Sequence, residues 1–476
     1  MRHQRSHTKI IATIGPASHD MEVLEQMFHE GVDVCRINCS HGSHEQHLKT
    51  IKAVRQLNEK LGSHVAVLAD LQGPKLRVGE IENNSVVLED GQEFSFVTQP
   101  CTGDHTKAYI SYMQLPMDVK VGERILVDDG KLIFEVIDSN GQDQVRTRVI
   151  AGGPLSNRKG VNLPNTKVTL PSLSEKDIKD AGFALDHQVD WIALSFVRRE
   201  KDILDLRKLV DAHSTKAQII AKIEKPEALD EIDEIIHVAD AIMVARGDLG
   251  VEVDFHKVPL IQKSIIKKCI ENSKPVIVAT QMMESMIQSP TPTRAEANDV
   301  ANAVLDGTDA VMLSGETSVG KYPVQTITNM QMITDSTETD EFLFYKEHAP
   351  LMQNETFLPD SICYNAVRLA EQVSAAAIIS LTYSGFTSVK ISSQRPKAPI
   401  YTFTMNEDLI RHLSMVWGVR AFYLGECYNI NDYIDYTEEF LVNQNLLKKG
   451  DLVIHVGSIP ILERRKTNMM KLTRVT

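Results

Sequence analysis

The chain has 476 residues, 42% of them hydrophobic and 24% charged, and a formal net charge of -13. That length exceeds what one core organises and predicts two or three domains. The acidic balance excludes a general nucleic-acid or anionic-membrane binder, while leaving room for a local basic pocket that takes phosphates.

The first residues, MRHQRSHTK, are basic but lead only into the short apolar stretch IIATIG. This is no signal peptide, and nothing later approaches the roughly 18 apolar residues of a membrane span. The six cysteines are scattered without a CxxC pair, which fits reduced thiols in a cytoplasmic protein. Strand-like apolar runs then appear at 9–15, 32–40 and 64–70, with amphipathic helical stretches between them. Over about 73–165 the pattern changes to period-two alternation with DDG and SNG hairpin signals. This predicts a small all-β domain inserted after the third strand, placed to close as a lid. Alternation of strands and helices resumes with SEKD at Ser174, and strand-like runs follow at 191–197, 218–224, 241–246, 275–280 and 310–315.

Three strands before the insertion and five after it make eight, each followed by a helix. The count predicts a (β/α)8 barrel over 1–72 and 166–342, with an open doubly wound sheet as the alternative. Residues 343–476 repeat the alternation on a smaller scale, with strand-like runs at 377–382, 399–404, 419–424 and 451–457, and predict an open α/β domain.

Barrel chemistry sits at the carboxyl ends of the strands. Those ends carry Arg36, Asn38, Ser40 and His41, then Asp70, Ser195, Lys222 with Glu224, Arg246-Gly247-Asp248, Thr280, and Ser314 with Glu316. Any one of these reads equally well as an ordinary polar strand terminus. Together they put several carboxylates, arginines and a lysine at one mouth. Lys222 and Glu224 are two apart on one strand and face the same side, and Asp248 arrives one strand over. Two carboxylates with open positions suit Mg²⁺ or Mn²⁺, and the added cations suit phosphoryl transfer. The Arg246-Gly247-Asp248 tripeptide also matches a cell-adhesion signal, but that use requires an exposed loop on a secreted protein. A Mg²⁺-dependent aldolase or lyase acting on an enolate would share the carboxylate pair but would not explain the lid.

Seven stretches carry a more specific likeness: TKIIATIGPAS (8–18), CRINCSHG (35–42), LADLQGPKLRVG (68–79), KGVNLP (159–164), AKIEKPEAL (221–229), MVARGDLGVE (243–252) and 278–317 from VATQMMESM to MLSGET. In order and spacing the chain resembles the pyruvate kinase family across the barrel and the insertion, and more weakly beyond. The resemblance implies transfer of phosphoryl from phosphoenolpyruvate to ADP, giving pyruvate and ATP. It implies a divalent ion on Glu224 and Asp248, and Lys222 beside the transferred group and the enolate. Arg36, assisted by Arg77, would grip the substrate phosphate, and the backbone of Ala245, Arg246 and Gly247 the carboxylate. Thr280, with Ser314, would serve proton delivery to the enolate carbon. Pro16, Asn38, His41, Arg77 and Lys159 match nucleotide positions.

Two departures stand out. Many relatives read Asp-Thr-Lys-Gly-Pro-Glu at the third strand and require K⁺, where this chain has Asp70-Leu71-Gln72-Gly73-Pro74-Lys75. Lys75 would bring an ammonium to the potassium site that matches Asn38, Ser40, Asp70 and the Leu71 carbonyl, so K⁺ is expected to be dispensable. In the C-terminal domain, Thr382, Ser384, Gly385, Thr387 and Ser388 match a phosphate loop for a phosphorylated allosteric effector. The last loop lacks the glycine-rich segment of many relatives and offers Arg464, Arg465 and Lys466 instead. The family resemblance further implies a homotetramer.

Overall fold

The computed structural model describes residues 6–476 apart from 215, 347, 426–428 and 461–465, so Cys427, Arg464 and Arg465 lie outside the described residues. Eight parallel strands close into a barrel: β1 (Lys9–Thr13), β2 (Val34–Asn38), β3 (Ala66–Asp70), β4 (Trp191–Leu194), β5 (Gln218–Ile223), β6 (Ala241–Ala245), β7 (Val276–Ala279) and β8 (Ala310–Leu313). β1 pairs with β8, so the sheet has no edge and the open-sheet alternative falls. The strands are four to six residues long, shorter than the apolar runs, because those runs continue into the loops at the carboxyl ends.

The helices start where local chemistry dictates. Ser174 and Thr293 each close a capping box, with Asp177 and Glu296 as the reciprocal partners, and Ser43 does the same with Gln46. Gly62 and Gly307 end their helices at positive φ, where a Cβ would be strained.

Between β3 and β4 the chain builds a β body of its own, antiparallel except for one parallel pair, Glu93–Val97 with Lys107–Tyr109. Its larger sheet runs, in spatial order, Val161–Asn162, Arg124–Val127, Leu132–Ser139, Gln144–Ala151, Glu93–Val97 and Lys107–Tyr109. Phe94, Phe96 and Phe134 fill a core separate from the barrel's. The DDG signal is a turn with Asp128, Asp129 and Gly130 all at positive φ, the geometry that matches strand twist in tight hairpins.

The C-terminal region holds a five-stranded sheet in the order Val419–Tyr423, Ile400–Thr404, Ala377–Leu381, Leu452–Gly457 and Met469–Arg474, the last strand antiparallel. It docks on the amino-terminal ends of the barrel strands. Arg395, 1% exposed, pairs with Asp309 at 2.8 Å ahead of β8, and Arg411 pairs with Asp190 at 2.7 Å ahead of β4. Met415 is buried in the same cluster as the inward side chains of the barrel strands and plugs its floor. No helix among the described residues is long and apolar enough to cross a membrane.

Candidate active site

Alternation along the strands decides what reaches the mouth. Val34 lines the barrel interior and Arg36 follows it on the same side; Ala66 and Leu68 precede Asp70; Trp191 and Ala193 precede Ser195; Ile220 precedes Lys222 and then Glu224. The polar layer is the next storey of the apolar stack below it.

These side chains meet. Lys222 Nζ lies 2.7 Å from Ser195 Oγ, 3.1 Å from Asp70 Oδ1 and 3.0 Å from Glu224 Oε1. Arg36 donates through Nε to Asp70 Oδ2 at 2.8 Å and through Nη1 to Thr13 Oγ1 at 2.9 Å. Asp70 therefore holds the lysine and the arginine apart and fixes both. Burial alone would raise its carboxyl, yet Lys222 and Arg36 outweigh burial and the net direction is down. Burial alone would lower the Lys222 ammonium, but Asp70 and Glu224 more than offset it, so the group stays charged.

Glu224 behaves differently. Burial pushes its carboxyl up to about 7, opposed by Lys222 and reinforced by the charge of Asp248; its Oε2 accepts the Phe196 N–H at 2.8 Å. Among the described residues the Asp248 carboxylate has no hydrogen-bond or ion-pair partner. A raised carboxyl beside an unpartnered one is a pair that a divalent cation would neutralise. No set of three His, Cys, Asp or Glu side chains forms a closed cage among the described residues. Two carboxylates with the other positions open to water and substrate oxygens fit Mg²⁺ or Mn²⁺ chemistry.

The Arg246-Gly247-Asp248 tripeptide is placed differently from the strand end expected. β6 stops at Ala245, and Arg246–Glu252 is a helix whose first turn contains all three residues. Arg246 does not face inward as a strand residue would: its guanidinium pairs with Asp299 at 2.7 Å and donates to the Thr280 carbonyl at 2.8 Å. The cause is the helix starting immediately at the strand end, which rotates Arg246 toward the loop after β7. The Gly247 N–H donates to Thr280 Oγ1 at 2.7 Å. Thr280 and Gln281 hold φ of 72° and 55°, an uncommon region for non-glycine residues and most of all for a β-branched one. Ser314 starts a short helix; its N–H donates to Glu316 Oε2 at 2.7 Å, and Glu316 Oε1 accepts from Met283 N–H, tying the loops after β7 and β8.

The other expected positions are less tightly gathered. The His41 N–H donates to the Asn38 carbonyl, and the His41 side chain is exposed; Pro16 lies in the loop after β1. Arg77 donates to the Arg158 carbonyl at 3.0 Å and Lys159 pairs with Asp128 at 2.9 Å, so both are engaged within the lid. Lys75 packs against Gly160 and lines a cleft of about 830 Å³ with Asp129, Gly247 and Asp248; neither Lys222 nor Glu224 lines it. Ser40 N–H donates to Asn38 Oδ1, and the Leu71 carbonyl accepts from Ser195 Oγ. In the C-terminal loop, Thr382 Oγ1 accepts from the Gly385 N–H, Thr387 bonds Thr467, and the Ser388 hydroxyl is buried between Ser380 and Thr402. Ser384 sits at the tip of this loop and is exposed, as is Lys466.

Two participants were not anticipated. Thr13 was findable, since it follows Ile11 by two on β1. Asp299 lies on a helix 53 residues from Arg246, and no local pattern connects them.

Anions and cations gathered at the carboxyl end of a closed parallel barrel mark an enzyme of the (β/α)8 class, suited to charged substrates. Comparison with known proteins narrows this. Residues 5–327 match the family description "Pyruvate kinase, barrel domain" and residues 360–473 match "Pyruvate kinase, alpha/beta domain". The chain is similar to a pyruvate kinase of Geobacillus stearothermophilus, 44% identical over 98% of this chain and 79% of that one. It is also similar to one of Corynebacterium glutamicum, 42% identical over 97% and 96%. A crystal structure of a pyruvate kinase from Cryptosporidium parvum superposes with a TM-score of 0.93 at 36% identity, covering 99% of this chain and 97% of that one. The chain belongs to the pyruvate kinase family.

Proposed function

We propose that the polar layer at the barrel mouth transfers the phosphoryl group of phosphoenolpyruvate to ADP, giving pyruvate and ATP, the reaction of the family. The observation that carries this is the Lys222 ammonium held between Asp70, Ser195 and Glu224 within 2.7 to 3.1 Å. Three contacts give it a defined position before substrate arrives, as stabilisation of a migrating anionic group requires.

Arg36, anchored on Asp70 and Thr13, binds the substrate phosphate. The backbone at Ala245, Arg246 and Gly247 binds the carboxylate, and Thr280, with Ser314, directs a proton to the enolate carbon. Glu224 and Asp248 hold the divalent ion that the family requires, Mg²⁺ or Mn²⁺, which when bound neutralises charge on the substrate oxygens. Pro16, Asn38, His41, Arg77 and Lys159 contact the nucleotide, the last two from the lid, whose closure would exclude water. We take 1–72 with 166–342 as the catalytic domain, 73–165 as the lid and 343–476 as a regulatory domain.

Lys75 replaces the K⁺ that Asn38, Ser40, Asp70 and the Leu71 carbonyl would otherwise take, so turnover does not require K⁺. The loop of Thr382, Ser384, Gly385, Thr387 and Ser388 takes a phosphorylated effector. The enzyme works as a cytoplasmic homotetramer. A lactate dehydrogenase-coupled assay with phosphoenolpyruvate and ADP tests the core of this reading. Lys222→Met should lower kcat by about a thousandfold or more while the fold is kept; turnover within tenfold of the parent would remove Lys222 from the reaction.

A further inference from the structure

Behind the two candidate metal carboxylates lies a second, buried ion pair. Lys225 Nζ meets Glu252 Oε1 at 2.6 Å, with side-chain exposures of 11% and 0%. The same oxygen accepts a hydrogen bond from Asn162 Nδ2 at 2.8 Å, and Glu252 Oε2 is buried without a hydrogen-bond partner. Lys225 Nζ also sits 5.9 Å from the centre of the Phe196 ring, the residue whose N–H binds Glu224.

The placement of these three residues in the chain is what matters. Lys225 directly follows Glu224, so the pair holds the chain just beyond β5. Glu252 ends the helix Arg246–Glu252, four residues and one turn after Asp248. Asn162 belongs to the last strand of the lid, where it pairs with Leu126. One carboxylate oxygen thus joins the residue beside Glu224, the helix that carries Asp248, and the lid. A buried charge pair adds little net stability over well-packed apolar groups, but removing one partner is costly, so its usefulness lies in holding a defined arrangement.

We propose that Glu252 and Lys225 are positioning residues that set the separation of Glu224 and Asp248, and that Asn162 couples this separation to the lid. The inference rests on the reading of Glu224 and Asp248 as the divalent-ion ligands. Release of Asn162 as the lid swings away loosens the Arg246–Glu252 helix, and its return tightens it. Substrate closure and ion geometry thereby become one event.

The test uses the full-length protein without substrates, with Mn²⁺ binding read by electron paramagnetic resonance of the free ion, followed by steady-state kinetics. Glu252→Gln and Lys225→Met should each weaken Mn²⁺ binding about tenfold, the size usual for groups that orient metal ligands. Asn162→Ala should weaken Mn²⁺ binding to the free enzyme about threefold and lower kcat about fivefold with little change in the KM for phosphoenolpyruvate, and parent-like values of both would overturn the coupling to the lid. If either single variant fails to fold, the shape-matched double variant Lys225→Met/Glu252→Gln decides, and it too should bind Mn²⁺ about tenfold more weakly. Parent-like Mn²⁺ binding in the folded Glu252 and Lys225 variants would overturn the proposal, provided Glu224→Gln abolishes binding. Parent-like binding in Glu224→Gln as well would instead overturn the metal assignment on which it rests.

Discussion

Arg246 clamps Thr280: its Nη2 donates to the Thr280 carbonyl at 2.8 Å while Asp299 holds Nη1 at 2.7 Å. Thr280 at φ 72° lies in a region that costs roughly 1 to 3 kcal/mol for a residue of its kind. The guanidinium fork restrains the loop in that shape, and the Gly247 N–H aims the hydroxyl. Arg246→Lys keeps the charge but cannot reach Asp299 and the carbonyl together. It should lower kcat by about tenfold or more with a smaller change in KM. Unchanged kcat in the coupled assay would show that the loop keeps its shape unaided.

Glu224 predicts a pH dependence of ion binding. Its carboxyl, pushed up to about 7 by burial, must lose its proton before it can hold a cation. Below about pH 7, Mn²⁺ binding to the substrate-free enzyme should weaken by about tenfold per pH unit, and above it should level off. Titrations at pH 6, 7 and 8 measure this. A flat profile across that range would mean that the carboxylate is already ionised at pH 6.

Lys75 is the residue to change in order to alter the monovalent-ion requirement. In buffer free of Na⁺ and K⁺ the parent should turn over at nearly its full rate. Lys75→Glu should become K⁺-dependent, with about tenfold or greater activation on K⁺ addition. A parent strongly activated by K⁺ would contradict the substitution of ammonium for ion.

His7 predicts how stability responds to acid. It is half-buried against Trp417 and Phe344, and its inaccessible Nδ1 has no hydrogen-bond partner. Burial first, then Lys9 and Arg395, lower its pKa from the ordinary 6.5 to about 4. A folded-state value below the unfolded one means that protonation favours unfolding. The contribution is complete above about pH 6.5 and is lost as pH falls toward 4. At pH 5 the loss is about 2 kcal/mol. His7→Phe should remove that part of the acid sensitivity in denaturant melts at pH 7.5 and 5, and an unaltered difference between the two would exclude His7 as its source.

Much of the mouth was legible because a strand has period two. Once Lys222 was placed on a strand, Glu224 had to share its face, and the same rule brings Arg36 and Asp70 to the same layer. The rule stops where a strand stops. Arg246 reads as the sixth residue of an apolar run, yet the helix begins at that residue and turns its side chain toward Asp299. Asn162 and Glu252 are 90 residues apart, and Lys225 and Glu252 are 27 apart. Such contacts follow from how the lid and helices dock, and no local spacing encodes them. Thr280 was legible as a polar strand end but its left-handed backbone was not, since nothing in VATQ signals it.

The Met415 plug bears on how this chain can be shortened. Met415 completes the packed column of the barrel from beneath, and Arg395 neutralises Asp309 at the rim of that floor. A chain ending near residue 342 would leave the lowest storey open to water and an acidic residue uncompensated beside it. The barrel is therefore not a detachable catalyst carrying an optional appendage. Its lower closure is supplied by Met415, well beyond the last barrel strand, so synthesis must pass that residue before the eight strands have a finished interior.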